Sequence, residues 1–199
     1  SIRLLTEGSL VRIQQGEPKG KDPFLESGSF PFPSMSCLYN RHTMYQDARV
    51  YFPQDEVHSA FLPVTSGCAH NQCAFCGMYK DQVYSQLALS DFKRELIHLK
   101  PYTEKIFLTA GDPLVIGYRA MMTRLDLIRL YSPSCGQVAA YASIASLMHY
   151  RTDELARLHD RGLRLLYIGF ETGRDDILRG MRKNHTLEEA LEVARRLNQ

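Results

Sequence analysis

The chain has no long apolar run and no marked excess of charge of either sign. No apolar stretch approaches the ~20 residues that a membrane-spanning helix needs, and no signal peptide is recognisable. The 24 basic and 22 acidic residues leave a net charge of only +2. Because nucleic-acid surfaces require clustered Lys and Arg, this balance disfavours a nucleic-acid partner. The sequence therefore predicts a folded domain that does not bind membranes and for which nucleic acid is a disfavoured partner.

Cysteine is also scarce, and most of it is concentrated in one place. Of the five cysteines, three fall within residues 68–76, whereas Cys37 and Cys135 lie alone. Clustered free thiols are typical of a reducing compartment, so we expect a cytoplasmic protein rather than a secreted disulfide scaffold. The two isolated cysteines are too few for a second cluster and are not predicted to be metal ligands.

The three clustered cysteines, Cys68, Cys73 and Cys76, follow an apolar run at 60–65 that reads as a strand. Three thiolates leave one iron of a [4Fe–4S] cluster without a protein ligand, and that iron can bind a small molecule. The alternatives are structural zinc with His70 as the fourth ligand, or no metal at all. Spacing favours the iron–sulfur site, in which His70 would shape the loop by hydrogen bonding.

From residue 50 onward, short apolar runs alternate with amphipathic segments. The predicted strands are 60–65, 105–109, 138–143 and 165–170. Alternation of this kind is typical of a parallel sheet covered by helices, which makes this an α/β protein. Residues 1–49 are predicted to form an irregular extension, and residues 50–199 an alternating βα domain. Thr186 and Glu189 form a capping box that opens the last predicted helix.

The distinctive residues of the sequence all follow the ends of predicted strands. The cysteine loop follows the first strand, Gly111 and Asp112 the second, Ser143 the third, and Glu171 the fourth. In βα barrels the chemistry takes place at this end of the strands. The coincidence predicts a single site there.

These motifs resemble those of the radical S-adenosylmethionine (SAM) enzymes. Cys68, Cys73 and Cys76, with Phe75 before the last cysteine, resemble the cysteine triad of a branch with four residues between the first two cysteines, where three is commonest. Residues 110–113 resemble the family's Gly-Gly-Glu-Pro-like turn, with Ala and Asp replacing Gly and Glu. The resemblance covers about residues 50–199. It implies a partial (β/α) barrel with about four βα units, truncated at its C-terminus.

The resemblance also implies a chemistry. The three cysteines would hold a [4Fe–4S] cluster, which reductively cleaves SAM to a 5′-deoxyadenosyl radical, and this radical would take hydrogen from a substrate that the sequence does not identify. The electron would come from a reductant such as flavodoxin or ferredoxin. The alternative is a non-catalytic zinc- or metal-binding scaffold domain, and a weaker one is a radical SAM enzyme that modifies RNA.

Six residues would contact SAM if the resemblance holds. They are Phe75, Gly111, Asp112, Ser143, Glu171 and Lys183. Each has a structural alternative: core packing for the aromatic ring, an ordinary turn for the glycine, and capping for the aspartate and serine. The alternative is a salt bridge for the glutamate and a solvated surface position for the lysine. Tyr79 and Lys80, just after the triad, would line the substrate side.

Overall fold

The structure, a computed structural model, describes residues 50–99 and 102–198, and the backbone of 2–6 and 9–14. The strands within these ranges are β1 (Ile2–Thr6), β2 (Ser9–Gln14), β3 (Ala60–Pro63), β4 (Thr65–Ser66), β5 (Ser85–Gln86), β6 (Lys105–Thr109), β7 (Gln137–Ala142) and β8 (Leu163–Gly169). The α-helices are α1 (Leu89–Ile97), α2 (Tyr118–Tyr131), α3 (Ile144–Met148), α4 (Thr152–Asp160), α5 (Asp175–Gly180) and α6 (Leu187–Leu197). Short 3-10 helices cover Gln54–Glu56 and Pro113–Ile116.

The main sheet has the strand order β1-β2-β8-β7-β6-β3. Its last four members are parallel and are separated along the chain by helices, which confirms the predicted α/β architecture. At the other edge, β2 pairs with β8 in parallel and β1 pairs with β2 antiparallel. The sequence analysis did not anticipate these two strands within residues 1–49. Cys37 lies outside the described residues.

The first predicted strand is interrupted, and the break starts the cysteine loop. The sequence predicted one strand over 60–65, but β3 ends at Pro63 and β4 pairs with β5 in a separate two-stranded sheet. Pro63 has no N–H to continue the ladder. Val64 still donates to the Thr109 carbonyl at 2.7 Å, so the end of β3 stays attached to β6. The loop therefore leaves the sheet beside the end of the neighbouring strand.

The two faces of the sheet are packed differently. One face packs on the helices through aliphatic residues, including Leu62, Leu108 and Ile168. The opposite face is aromatic, with Phe107 and Tyr167 buried and Phe52, Phe61 and Tyr141 packed beside them. The Phe107 ring meets Phe61, Tyr141 and Tyr167 edge to face, and such contacts add stability beyond the burial of their surface. Within the described residues, no helix is both long and apolar enough to cross a bilayer.

The segment just before β3 lies on this aromatic face. Glu56 is only 2% exposed, and its carboxylate accepts hydrogen bonds from Ser59 Oγ at 2.6 Å and Tyr167 Oη at 2.7 Å. A buried carboxylate requires such donors because it has lost its water. The network anchors the 50–59 segment to β8.

The start of α6 follows the predicted signal. Thr186 Oγ1 accepts from the Glu189 N–H at 3.2 Å, and Glu189 Oε2 accepts from the Thr186 N–H at 2.8 Å. This confirms the predicted capping box. Gly162, with φ of 111°, ends the segment that contains α4, as expected of a residue without a Cβ.

Candidate active site

The cysteine loop is held by its own side chains and by a distant turn. Asn71 adopts a φ of 44° and donates from Nδ2 to the Tyr79 carbonyl at 2.8 Å. His70 donates from Nε2 to the Arg182 carbonyl at 2.7 Å, which confirms its predicted role in shaping the loop. The Ala74 N–H donates to the Met181 carbonyl at 2.9 Å. Residues 181–182 therefore hold the middle of the loop.

Cys68, Cys73 and Cys76 are partly exposed and are not in disulfides. Within residues 50–99 and 102–198, no three His, Cys, Asp or Glu side chains are arranged to hold a single metal ion. A [4Fe–4S] cluster does not require such convergence, because each thiolate binds a different iron. The donor set of three free thiols fits a cluster.

Cys73 lies among opposing charges. Burial raises the pKa of its thiol, the Lys183 ammonium lowers that pKa, and Cys76, Cys68 and Glu171 raise it. The thiol therefore senses both other cysteines and the two charged residues that follow β8. This electrostatic coupling indicates that the loop after β3 and the residues after β8 lie close together in one site.

Gly111, after β6, lies directly against the start of the cysteine loop. Its N–H donates to the Gly67 carbonyl at 3.2 Å. A Cβ at this position would lie 3.0 Å from Cys68 Cβ and 3.2 Å from Tyr79 Cε2. The glycine is needed here for the close approach of two backbones rather than for an unusual φ.

Asp112 and Ser143 bind each other. Ser143 Oγ donates to Asp112 Oδ2 at 2.6 Å, Ser146 Oγ donates to Oδ1 at 3.1 Å, and the Leu114 N–H donates to Oδ1 at 3.2 Å. Burial raises the pKa of Asp112 to about 6, although these hydrogen bonds lower it. Ser143 Oγ also accepts from the Ser146 N–H at 3.0 Å and so caps α3. The capping alternatives are thus present in the structure, and the network joins the ends of β6 and β7.

Glu171 and Lys183 form an ion pair that is largely shielded from water. Lys183 Nζ lies 3.3 Å from Glu171 Oε1, and the two side chains are 12% and 10% exposed. The predicted alternative of a solvated Lys183 is therefore wrong, because the ammonium is enclosed by the pair. Gly169, the last residue of β8, leaves the space that the pair occupies, since a Cβ there would lie 2.6 Å from Glu171 Oε1.

The aromatic and basic residues of the loop differ in burial. The Phe75 side chain is 41% exposed, so it is not a core residue, and Lys183 Nζ lies 6.0 Å from its ring centroid. Tyr79 is buried and packs edge-to-face on Tyr51 at 5.1 Å. Lys80 is exposed and donates to the Asn71 carbonyl at 2.7 Å. Tyr79 thus stabilises the loop by packing on Tyr51, and Lys80 stabilises it by a hydrogen bond to the Asn71 carbonyl.

The sequence model of the Radical SAM superfamily matches residues 62–199. The chain belongs to the radical SAM superfamily. This match covers the cysteine loop and the ends of all four parallel strands described above. Membership implies an iron–sulfur cluster and SAM as cofactors of the superfamily. The predicted recognition of the family is therefore confirmed.

The solved structure of a radical SAM enzyme shares the fold of this chain. OxsB, a cobalamin-dependent S-adenosylmethionine radical enzyme with aqua-cobalamin and S-adenosylmethionine bound, matches with a TM-score of 0.56 and 16% identity. The match covers 72% of this chain and 22% of OxsB. Methylornithine synthase, PylB, matches with a TM-score of 0.48 and 17% identity over 70% of this chain and 40% of that one. No curated protein sequence matches.

The superfamily fold places the predicted residues around one end of the sheet. Phe75, Glu171 and Lys183 lie with the cysteine loop, and the Gly111 N–H donates to the Gly67 carbonyl just before Cys68. Cys135 lies just before β7, away from the site, as predicted. The sequence analysis missed Ser146 and Gly169. A serine three residues after Ser143 and a glycine two residues before Glu171 were the available signals.

Proposed function

We propose that this chain carries the SAM-cleaving centre of a radical SAM enzyme, with a [4Fe–4S] cluster held by Cys68, Cys73 and Cys76. The observation that carries the proposal is the packing of the cysteine loop. Three free thiols lie on one short loop, fixed on one side by Gly111 and on the other by the Met181 carbonyl. A preformed loop lowers the entropic cost of gathering three ligands.

The chain's own residues would bind and orient SAM at the strand ends. Gly111 would bring its backbone close to SAM beside Cys68, and Phe75 would offer a half-exposed ring to the adenine. Glu171 and Lys183 present opposite charges beside Cys73, which suits the ammonium, carboxylate and ribose hydroxyls of SAM. Asp112 and Ser143 contribute by fixing the turn that carries Gly111, and their polar atoms reach SAM only if the network opens.

When bound, the cluster and SAM would supply an electron and a 5′-deoxyadenosyl radical that removes a hydrogen atom from the substrate. Burial of the charged pair and of Tyr79 excludes water from the base of the site. We also propose that a cytoplasmic one-electron reductant such as flavodoxin or ferredoxin reduces the cluster, and that the radical acts on a substrate that the sequence does not identify. The activity of the whole protein is also part of this proposal, because the matched region spans only about a fifth of the length of OxsB. No observation favours RNA as the substrate.

The test is anaerobic reconstitution of the chain with iron and sulfide, followed by iron and sulfide analysis. We expect about four irons per chain and a reduced-cluster electron paramagnetic resonance (EPR) signal that changes when SAM is added. Replacing Cys73 by Ala should abolish the signal, whereas Cys135→Ala, the matched control, should leave it intact because Cys135 lies before β7. Retention of zinc in place of iron, or a signal indifferent to SAM, would refute the proposal.

A further inference from the structure

The turn that follows α5 is bound to the cysteine loop at two points. Its Met181 carbonyl accepts from the Ala74 N–H at 2.9 Å, and its Arg182 carbonyl accepts from His70 Nε2 at 2.7 Å. Arg182 has a φ of 56°, which turns the chain directly after these contacts. The next residue, Lys183, is thereby directed to the part of the loop that carries Cys73 and Phe75.

The Lys183 ammonium has two neighbours that both stabilise its positive charge. Glu171 Oε1 lies 3.3 Å away, and the ring centroid of Phe75 lies 6.0 Å away. Both charged side chains are nearly nine-tenths buried. Charges in such surroundings are weakly screened by salt and water, so they act strongly on nearby groups. Cys73 feels both of them, with Lys183 exerting the larger effect.

Electron uptake adds one negative charge to an iron–sulfur cluster. A buried cation beside the cluster stabilises that charge, and a buried anion opposes it, which is one way in which proteins set cluster potentials. The Lys183–Glu171 pair is therefore well placed to influence electron uptake before SAM binds. This effect does not require either side chain to touch SAM.

We propose that the Lys183–Glu171 pair sets the reduction potential of the cluster, with Lys183 raising it and Glu171 lowering it. The inference rests on the proposed function, because it requires a cluster on Cys68, Cys73 and Cys76. Lys183 and Glu171 act here as positioned charges. Gly169 contributes by leaving room for the pair, since a Cβ there would meet the Glu171 carboxylate at 2.6 Å.

The test is a potentiometric titration of the reconstituted cluster in the absence of SAM, followed by EPR. K183M should shift the midpoint potential to more negative values, because it removes a buried positive charge from beside the cluster. E171Q should shift the potential to more positive values. K183R keeps the charge and should return the potential towards that of the wild type. Lys93→Met is the matched control, because the Lys93 ammonium lies over Tyr131, at 5.5 Å from the ring centroid, on the helical layer.

Opposite shifts in K183M and E171Q, with no shift in the Lys93→Met control, would support the inference. Unchanged potentials, or shifts in the same direction, would overturn it and leave the proposed function standing. Failure of the wild-type chain to assemble a cluster would overturn both. If K183M does not fold, E171Q still decides the question, because Gln has the shape of Glu and keeps a hydrogen-bond acceptor for Lys183.

Discussion

Replacing Gly111 by Ala tests the contact that joins the cysteine loop to the end of β6. The added methyl would lie 3.0 Å from Cys68 Cβ, 3.2 Å from Tyr79 Cε2 and 3.3 Å from the Gly67 carbonyl oxygen. Carbon atoms normally pack at about 3.5–4.0 Å. None of these neighbours is the free end of a flexible side chain, so the loop itself must move.

The expected cost follows from overpacking a rigid contact. We expect G111A to lower the free energy of unfolding by about 2 kcal/mol, within the range for an extra methyl in a packed site. In a domain of this size that corresponds to a fall in Tm of about 4–8 °C. Because Cys68 Cβ is the closest neighbour, iron retention after reconstitution should fall as well.

Differential scanning calorimetry of the apo-protein and iron analysis of the reconstituted protein measure the two effects. Gly136→Ala is the control, since a Cβ there would meet nothing within 4 Å. It should leave Tm unchanged or slightly raised. Equal Tm and equal iron content in the two variants would refute the claim that Gly111 holds the loop by close approach.

Three further predictions concern stability. Burial raises the pKa of Asp112 from 3.8 to about 6. As pH rises, the unfolded chain therefore loses this proton at a lower pH than the folded protein does. The free energy of unfolding should fall as pH rises from 3.8 to about 6. The two pKa values correspond to a loss of about 3 kcal/mol, and urea titrations across this range should show it in the wild type and not in Asp112→Asn. Tyr167→Phe should cost about 2 kcal/mol in the same assay by removing a donor from the buried Glu56 carboxylate; an unchanged urea midpoint would contradict this. Thr186→Ala should lower the stability by about 1 kcal/mol, because it removes the side-chain cap of α6. Ala88→Ser should raise the stability, because the N-cap residue of α1 has no side-chain cap bond. Equal Tm values for the two variants would contradict the capping argument.

The regular elements could be predicted because their signals are local. The apolar run at 105–109 coincides with β6, and the Thr186 capping box starts α6 as expected. The break after Pro63 was missed because it depends on a partner, β5, that lies some twenty residues further along the chain. Of the two N-terminal strands that were missed, β2 pairs with β8 across most of the sequence, and β1 joins the sheet only through β2.

The site was predictable as a set of residues but not as a set of contacts. The proposed positions other than Lys183 follow strand ends, which the motif order revealed, whereas Lys183 follows α5. The pairing of Asp112 with Ser143 joins residues 31 apart, and His70 reaches a carbonyl 112 residues away. The position of Glu56 under the aromatic face depends on a contact with Tyr167, 111 residues away. Sequence periodicity does not predict contacts between residues that are so far apart in the chain.

The contacts divide the six candidate SAM residues into two groups. Asp112 and Ser143 use their oxygens on each other, on Ser146 and on Leu114, so their main effect is to hold the strand ends together. The remaining four, Phe75, Gly111, Glu171 and Lys183, all lie next to the cysteine loop. Substitutions in the first group should therefore alter protein stability before they alter SAM affinity, and substitutions in the second should change the cluster's EPR response to SAM in a protein that still folds.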